Sequence, residues 1–285
     1  MVHYEKLNKD NFYNLCELLK ESLIYNSYKK RVDEFFTQLN FFKKILFKKN
    51  IILVKLDNDY LGYIWYELKS LDTILLNDIY IRDSFIKYLN INNIRCFEDK
   101  VIIYQGFEDI LTKMILEKND FSKVKITKLM KKTISSSIPI EVDENLSIRI
   151  FRKNIDEKIR CNIQNNIFND NDRIPLKVKD IKYEETQEYY INDLCMFLIK
   201  NNREIGYCQV VFHKNMYMIV NFGVIDEFRG YGYGKYLLSS VLNELYKKSI
   251  FDVYIRVDLN NFKAFSLYEN IGFNYVGNFS TWIKS

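Results

Sequence analysis

The stretch that decides the fold is Arg229-Gly230-Tyr231-Gly232-Tyr233-Gly234, which follows the apolar run 219–225 and precedes a helical pattern. Glycine lacks the Cβ that would hold ligand atoms away from the backbone. Successive peptide N–H groups and the positive end of the following helix can therefore face one anion together. Arg229 and Lys235 add positive charge at the two ends of the loop. The stretch predicts a site for a phosphate or pyrophosphate group.

The spacing of the three glycines excludes the two commonest nucleotide loops. A dinucleotide fingerprint needs G-x-G-x-x-G, and a P-loop needs G-x-x-x-x-G-K followed by Ser or Thr. Here the glycines alternate, and Tyr236 follows Lys235. The order Arg-x-x-Gly-x-Gly instead resembles the acyl-CoA pyrophosphate loop of the GNAT superfamily of N-acyltransferases. In that family the loop joins the central strand to a helix.

A second motif supports the resemblance, Asn261-x-x-Ala264-x-x-x-Tyr268-x-x-x-Gly272-Phe273. Read as a helix, it has an N-cap at Asn261, Ala264 and Tyr268 on one face, and a stop signal at its glycine. The resemblance implies that the small residue at 264 admits the pantetheine arm. It also implies that the Tyr268 hydroxyl lies near the thioester sulfur. Taken alone, the segment is equally well explained as a capped amphipathic helix with a buried tyrosine.

Length and composition favour a folded protein of two domains. The chain has 285 residues, of which 48% are hydrophobic and 16% aromatic, and domains of roughly 100–200 residues are usual. The net charge is only +5, and acidic residues alternate with basic ones, so no nucleic-acid interface is expected. No run approaches the roughly 18 apolar residues of a membrane helix, and the first residues form no secretory signal. We expect a cytoplasmic protein with no membrane partner.

The cysteines and histidines predict neither a disulfide framework nor a metal site. The five cysteines include no CxxC pair, and an odd number without such pairs is typical of reduced thiols. The chain has only two histidines, His3 and His213, which excludes a histidine-based metal cluster. We therefore expect no metal, and a histidine general base has almost no candidate.

The chain also carries a weak internal repeat. Leu61-Gly62-Tyr63 falls on Ile205-Gly206-Tyr207, and Leu75-Leu76-Asn77 falls at the same offset on Ile219-Val220-Asn221. Where the second half has its glycine loop, the first half has Ile86-Lys87-Tyr88-Leu89-Asn90-Ile91, whose bulky side chains cannot line up amides against a pyrophosphate. The repeat predicts a duplication whose first half lost the cofactor site. An unrelated N-terminal α/β domain is the alternative.

The resemblance implies an α/β (α+β) protein of two GNAT-like domains, each a mixed, mostly antiparallel sheet flanked by helices. We predict a degenerate domain over residues 1–137 and a catalytic domain over 146–285, joined by the turn-rich Ser135-Ser136-Ser137-Ile138-Pro139. Each half opens with two helical segments before its strands. These segments are 10–21 and 32–47 in the first half, and 156–168 and 178–190 in the second.

In GNAT proteins the pantetheine arm enters between two parallel strands, which correspond here to 219–225 and 253–257. The resemblance implies that backbone amides at Val224 and Ile225 bind this arm and polarise the thioester carbonyl, with Gly223 allowing a bulge. The full set of predicted acyl-CoA contacts is Val224, Ile225, Arg229, Gly230, Tyr231, Gly232, Tyr233, Gly234, Lys235, Asn261, Ala264 and Tyr268.

Tyr268 is the predicted catalytic residue. It would protonate the departing thiolate, a task suited to a phenol whose ordinary pKa is about 10. No general base is predicted, because the acidic residues Asp226, Glu227, Glu184 and Glu185 fit solvated carboxylates and His213 fits a surface turn. A water chain can deprotonate the amine instead.

These residues favour an acetyl-CoA-dependent N-acetyltransferase that acts by direct attack of a primary amine. The acceptor amine belongs to a small molecule, an amino acid or a peptide. The alternative from another class is a non-catalytic acyl-CoA-binding sensor that uses its first half as an interaction surface. The intact Tyr268 argues modestly against a sensor. The acceptor, the acyl-chain length and the oligomeric state stay open at this point.

Overall fold

A computed structural model gives the conformation of residues 2–25, 49–141, 143–169, 174–213 and 216–285. The chain forms two compact units, one made of Met1–Thr127 with Gly277–Ser285 and the other of Lys128–Val276. The predicted helix 32–47 lies outside the described residues. Within the described ranges, none of the helices has the length and apolar character needed to cross a membrane.

The first unit is built on a mixed sheet. Its elements are β1 (Val2–Lys6), α1 (Phe12–Tyr25), β2 (Ile51–Leu56), β3 (Asp59–Ser70), β4 (Thr73–Ile81), β5 (Val101–Phe107), α2 (Ile110–Lys118) and the last strand of the chain, β12 (Asn274–Lys284). The strand order is β1-β2-β3-β4-β5-β12, in which the β4/β5 pairing is parallel and the others are antiparallel. Between β4 and β5 the backbone makes three short 3-10 turns.

The second unit repeats the strand plan of the first, and its helix Tyr233–Lys247 stands where the described part of the first unit has 3-10 turns. Its elements are the end of β6 (Ser122–Thr133), β7 (Leu146–Ile150), α3 (Glu157–Ile167), α4 (Val178–Glu184), β8 (Tyr190–Lys200), β9 (Arg203–His213), β10 (Met216–Val224), α5 (Tyr233–Lys247), β11 (Asp252–Asp258) and α6 (Phe262–Asn270). The strand order is β7-β8-β9-β10-β11-β6, and β10 runs parallel to β11. The predicted fold class is confirmed in both units.

Helix α5 forms where its sequence places leucine and valine at helical spacing. Five side chains on one face are fully buried against the sheet, namely Leu237, Leu238, Val241, Leu242 and Leu245. Burying each such side chain is worth about 1.5–3 kcal/mol. This face therefore fixes α5 on the sheet and, with it, the position of the glycine loop that precedes the helix.

Each unit contains a strand from the other half of the sequence. Strand β12 pairs with β5 from Phe279↔Phe107 to Lys284↔Ile102, so residues 277–285 belong to the first unit. In the second unit, β6 lies beside β11, and the Ile134 N–H donates to the Phe251 carbonyl at 2.7 Å. The units therefore divide the chain differently from the predicted ranges 1–137 and 146–285.

The predicted linker is also part of the second unit. Asn243 on α5 accepts a hydrogen bond from the Ile138 N–H at 2.7 Å and donates one to the Ile138 carbonyl at 2.9 Å. This pair of bonds satisfies both backbone groups of Ile138. The composition of residues 135–139 indicates a turn. The Asn243 side-chain amide that holds this turn on the second unit comes from α5, which is distant in the sequence.

Candidate active site

The loop before α5 presents bare backbone to the outside of the second unit. Gly230 and Gly232 have φ values of +86° and +83°, and a Cβ built on either would meet nothing within 4 Å. Positive φ strains a residue with a side chain, which explains glycine at both positions. Gly234 serves a different purpose, because its Cβ would lie 3.4 Å from Leu267 Cδ2 and 3.9 Å from Phe222 Cζ. There glycine leaves room beside two side chains of the site.

The peptide N–H groups of residues 230–235 form a cradle. Helix α5 begins at Tyr233, with Gly232 as its N-cap, and the first bond of its ladder runs from the Tyr236 N–H to the Gly232 carbonyl at 3.1 Å. Within the part of the chain that the structure describes, residues 230–235 donate to no backbone carbonyl. Unpaired N–H groups at a helix N-terminus attract phosphate oxygens. The residues present fit the diphosphate of coenzyme A.

Strands β10 and β11 pair only along part of their length. The parallel register runs from Tyr217↔Val253 to Ile219↔Ile255, and the β10/β9 register shifts between Val220 and Gly223. The shift ends at Gly223, where the sequence predicts a bulge, and the residue with left-handed backbone within it is Asn221, at φ +53°. Gly223 is needed for another reason, since its Cβ would lie 2.3 Å from Ile167 Cγ2 on α3.

Only one of the two predicted backbone amides is free to bind a cofactor arm. The Ile225 N–H donates to the Ile205 carbonyl on β9 at 2.9 Å, so the prediction for Ile225 is corrected. Successive N–H groups of an extended strand point to opposite edges. The Val224 N–H therefore points to the other edge, toward β11, where the pairing has ended.

Arg229 is held by backbone groups of its own unit. Its guanidinium donates to the Val224 carbonyl at 3.0 Å and to the Ile167 carbonyl at 2.8 Å, and it pairs with Asp226 at 2.8 Å. These contacts tie the end of β10 to the end of α3. The structure thus gives Arg229 a positioning role, whereas Lys235 is exposed at the start of α5.

The two loop tyrosines differ in burial, since Tyr231 is exposed and Tyr233 is half-buried against the core of the second unit. Tyr231 is exposed and stacks on Tyr233, with ring centroids 5.9 Å apart. The Lys200 ammonium contacts the Tyr233 hydroxyl and lies 4.3 Å from the centre of its ring. These contacts hold the Tyr233 side chain away from the cradle. A phosphate bound in the cradle would contact the Tyr233 backbone N–H and not its ring.

The second motif folds as predicted. Asn261 caps α6, its side chain accepting a hydrogen bond from the Ala264 N–H at 3.1 Å. Tyr268 is buried, and its ring centre lies 6.0 Å from those of both Phe222 and Phe273. Burial, followed by the neighbouring Cys208, raises the pKa of Tyr268 above its ordinary value. The phenol is therefore protonated at neutral pH.

The carboxylates near the site divide into two groups. Asp226 and Glu227 are exposed and paired with Arg229 and Arg203, so they are solvated as expected. The same expectation is wrong for Glu184 and Glu185. Glu184 contacts the fully buried Arg160, and burial raises the pKa of Glu185, helped by the charge of Glu157. The side chain of His213 is not among the described parts of the structure.

Sequence reasoning missed the buried polar residues Arg160, Gln209 and Asn221. Neither of the two GNAT-like motifs contains them, and Asn221 enters the sequence analysis only as part of the internal repeat. One signal was available: Arg160 lies on the same helical face as Ile163 and Ile167, and that face is buried. A lone arginine on an apolar face indicates a buried partner. Among the described residues, no group of His, Cys, Asp or Glu could hold a metal ion.

Comparison with known proteins agrees with this geometry. A family model described as an acetyltransferase (GNAT) domain matches residues 192–275. Over 91 residues the chain is 35% identical to a ribosomal-protein alanine N-acetyltransferase from Haemophilus influenzae, a match that covers 31% of this chain and 58% of the relative. The chain thus matches less than two thirds of that relative.

Solved structures extend the likeness in fold to the whole chain. A GCN5-related N-acetyltransferase from Sphaerobacter thermophilus has a TM-score of 0.71 at 15% identity, covering 99% of this chain and 95% of that one. A tandem GNAT protein from the clavulanic acid biosynthesis pathway has a TM-score of 0.60 at 9% identity, covering 100% and 98%. Residues 192–275 thus match a GNAT acetyltransferase domain, and the whole chain shares the fold of solved GNAT structures, including a tandem GNAT protein.

Proposed function

We propose that this protein is an acetyl-CoA-dependent N-acetyltransferase that acetylates a primary amine by direct attack. The observation that carries the proposal is the position of Phe222. This side chain lies beside Gly234 at the start of α5 and against the ring of Tyr268. One residue of the bulged strand thus connects the phosphate cradle to the candidate acid.

The residues that would hold acetyl-CoA follow from the free backbone groups. The N–H groups of residues 230–235 would bind its diphosphate, and the Val224 N–H would bind the arm between β10 and β11. Bound there, acetyl-CoA supplies an activated acetyl group. The amine nitrogen bonds to the carbonyl carbon as the C–S bond breaks. Tyr268 would donate its hydroxyl proton to the departing sulfur, the amine would release its proton to water, and water would return a proton to the Tyr268 phenolate.

The acceptor belongs to one of three chemical classes, namely a small-molecule amine, an amino acid or a peptide. The relative from Haemophilus influenzae is named for acetylating an alanine of a ribosomal protein. That name favours testing peptide N-termini first. The match covers only part of both chains, so amino acids and polyamines belong in the same panel.

A panel of amines incubated with acetyl-CoA is expected to give time-dependent release of free thiol with at least one acceptor. Thiol release measures C–S cleavage directly, and mass spectrometry of the acceptor locates the added acetyl group. A protein that binds acetyl-CoA but releases no thiol with any amine would be a sensor rather than an enzyme. The panel without protein corrects for spontaneous hydrolysis.

The Tyr268→Phe variant is expected to lower kcat on the order of tenfold to a thousandfold, because it removes the proton donor. Phenylalanine keeps the ring between Phe222 and Phe273, so the affinity for acetyl-CoA should stay close to that of the wild type. Steady-state kinetics and calorimetry separate the two quantities. An unchanged kcat would remove Tyr268 from the role of general acid.

A further inference from the structure

The bulge in β10 is held by a buried network of polar side chains. Gln209 on β9 pairs with Val220 in the register, directly before the shift, and its side chain is fully buried. Asn221, the next residue of β10, has φ +53°. The Asn221 amide donates to Gln209 Oε1 at 3.0 Å. Gln209, which lies opposite the bulge, thus accepts a hydrogen bond from Asn221, the residue with left-handed backbone inside the bulge.

Two helices anchor the other side of Gln209. Arg160 on α3 donates to Gln209 Oε1 at 3.0 Å, and Gln209 donates to Glu184 Oε1 at the end of α4, also at 3.0 Å. Arg160 and Glu184 contact each other as an ion pair. The network therefore connects α3, α4 and β9 to one backbone position of β10.

Arg160 is buried among aromatic rings. Its guanidinium is fully buried, and its central carbon lies 5.0 Å from the ring centre of Tyr207 and 5.7 Å from that of Phe151. Aromatic rings stabilise a buried cation, and Glu184 balances its charge. The Arg160 Nη2 group makes both polar contacts, to Glu184 and to Gln209, whereas its buried Nε and Nη1 groups have no hydrogen-bond partner among the described residues.

The first unit provides an internal comparison. Gly62 pairs with Ile81 as Gly206 pairs with Val224. Counted back from these pairs, Asp78 matches Asn221, one residue away from the match given by the sequence repeat, because the β3/β4 register also shifts here, between Trp65 and Tyr66. Asp78 accepts from the Tyr63 hydroxyl and is not among the residues with positive φ. The first unit thus has a different polar contact at this position, and it has no glycine loop.

We propose that Arg160, Glu184 and Gln209 are positioning residues that hold Asn221 in its left-handed conformation and so keep β10 bulged where it parts from β11. The bulge places Phe222 beside Gly234 and Tyr268. It also ends the regular pairing of β10, which leaves the Val224 N–H free. The inference rests on the proposed function in one respect. The bulge keeps β10 and β11 apart, and the space between these strands is where the proposed function places the arm of acetyl-CoA.

The test separates the network from the backbone conformation that it holds. Gln209→Met removes the amide but keeps its volume, and the Arg160–Glu184 pair stays intact. We expect the Kd for acetyl-CoA to rise about tenfold, since Asn221 loses the bond that offsets its unfavourable φ. Glycine adopts positive φ without strain. Asn221→Gly alone should therefore bind within about threefold of the wild type, and the double variant should recover the same affinity.

A second readout does not depend on acetyl-CoA. Amide hydrogen exchange over residues 219–224 should accelerate in Gln209→Met and return toward wild type in the double variant. This measurement tests the inference even if the wild-type protein fails to bind acetyl-CoA, an outcome that would instead overturn the proposed function. Unchanged affinity and exchange in Gln209→Met, or a double variant no better than Gln209→Met, would overturn the inference.

The control is Tyr63→Phe in the first unit. It removes the hydroxyl that donates to Asp78, the residue matched to Asn221, in a unit without a glycine loop. We expect a lower melting temperature with unchanged acetyl-CoA affinity. A loss of affinity equal to that of Gln209→Met would show that general destabilisation explains both results, and it would overturn the positioning role.

Discussion

Changing Gly232 to glutamate is expected to weaken the binding of acetyl-CoA by at least about a hundredfold. Gly232 has φ +83°, which costs a residue with a side chain roughly 1–2 kcal/mol. The new carboxylate would also lie beside the N–H groups that face the diphosphate, where like charges repel by roughly 4 kcal/mol at 4 Å and an effective dielectric of 20. Isothermal titration calorimetry measures the loss.

Gly232→Gln is the matched control for charge. It has the same size and the same backbone strain, so it should bind acetyl-CoA with an affinity between those of the wild type and Gly232→Glu. A Cβ at this position meets nothing within 4 Å, so both variants should melt only a few degrees below the wild type. If Gly232→Glu binds acetyl-CoA normally, the phosphate cradle is wrong.

A fragment limited to residues 146–285 is expected not to fold cooperatively. It lacks β6, whose Met130, with the adjoining Ile134, is buried in the core of the second unit. The loss of two such side chains costs about 3–6 kcal/mol, a large share of the roughly 5–15 kcal/mol that stabilises a typical domain. It also leaves the Phe251 carbonyl without its partner from Ile134.

The comparison fragment is residues 128–276, the second unit as the structure defines it. It retains the end of β6, the docked segment at Ile138 and the whole glycine loop. We expect a single cooperative thermal transition for this fragment by circular dichroism, and none for 146–285. Equal melting temperatures for the two fragments would contradict the assignment of β6 to the second unit.

Features predicted correctly share a local physical cause. The alternating glycines are followed by a helix with a buried apolar face, and Asn261 caps the helix that carries Tyr268. Caps, glycine conformation and hydrophobic period act over a few residues, so the sequence displays them directly. The order of strands and helices in each unit follows from the same signals.

Features that were missed or corrected depend on residues far apart in the chain. The Ile225 N–H, expected to face the cofactor, donates to the Ile205 carbonyl instead. The approach of Ile167 gives a second reason for glycine at 223, besides the bulge. Glu184 is held by Arg160 rather than by solvent. Each of these contacts depends on which distant backbone group or side chain lies opposite the residue in the folded protein. The secondary-structure propensity of a residue carries no information about such a neighbour.

The sequence by itself determined a glycine loop suited to phosphate, a capped helix carrying Tyr268, and a duplicated plan without that loop in its first half. The tertiary structure decided which strands complete each unit, which amides remain free, and which buried polar side chains contact Asn221 in the bulge. The division has a physical reason. Local conformation follows from neighbouring residues, whereas strand pairing and buried charge are settled by contacts that form only when distant segments pack together.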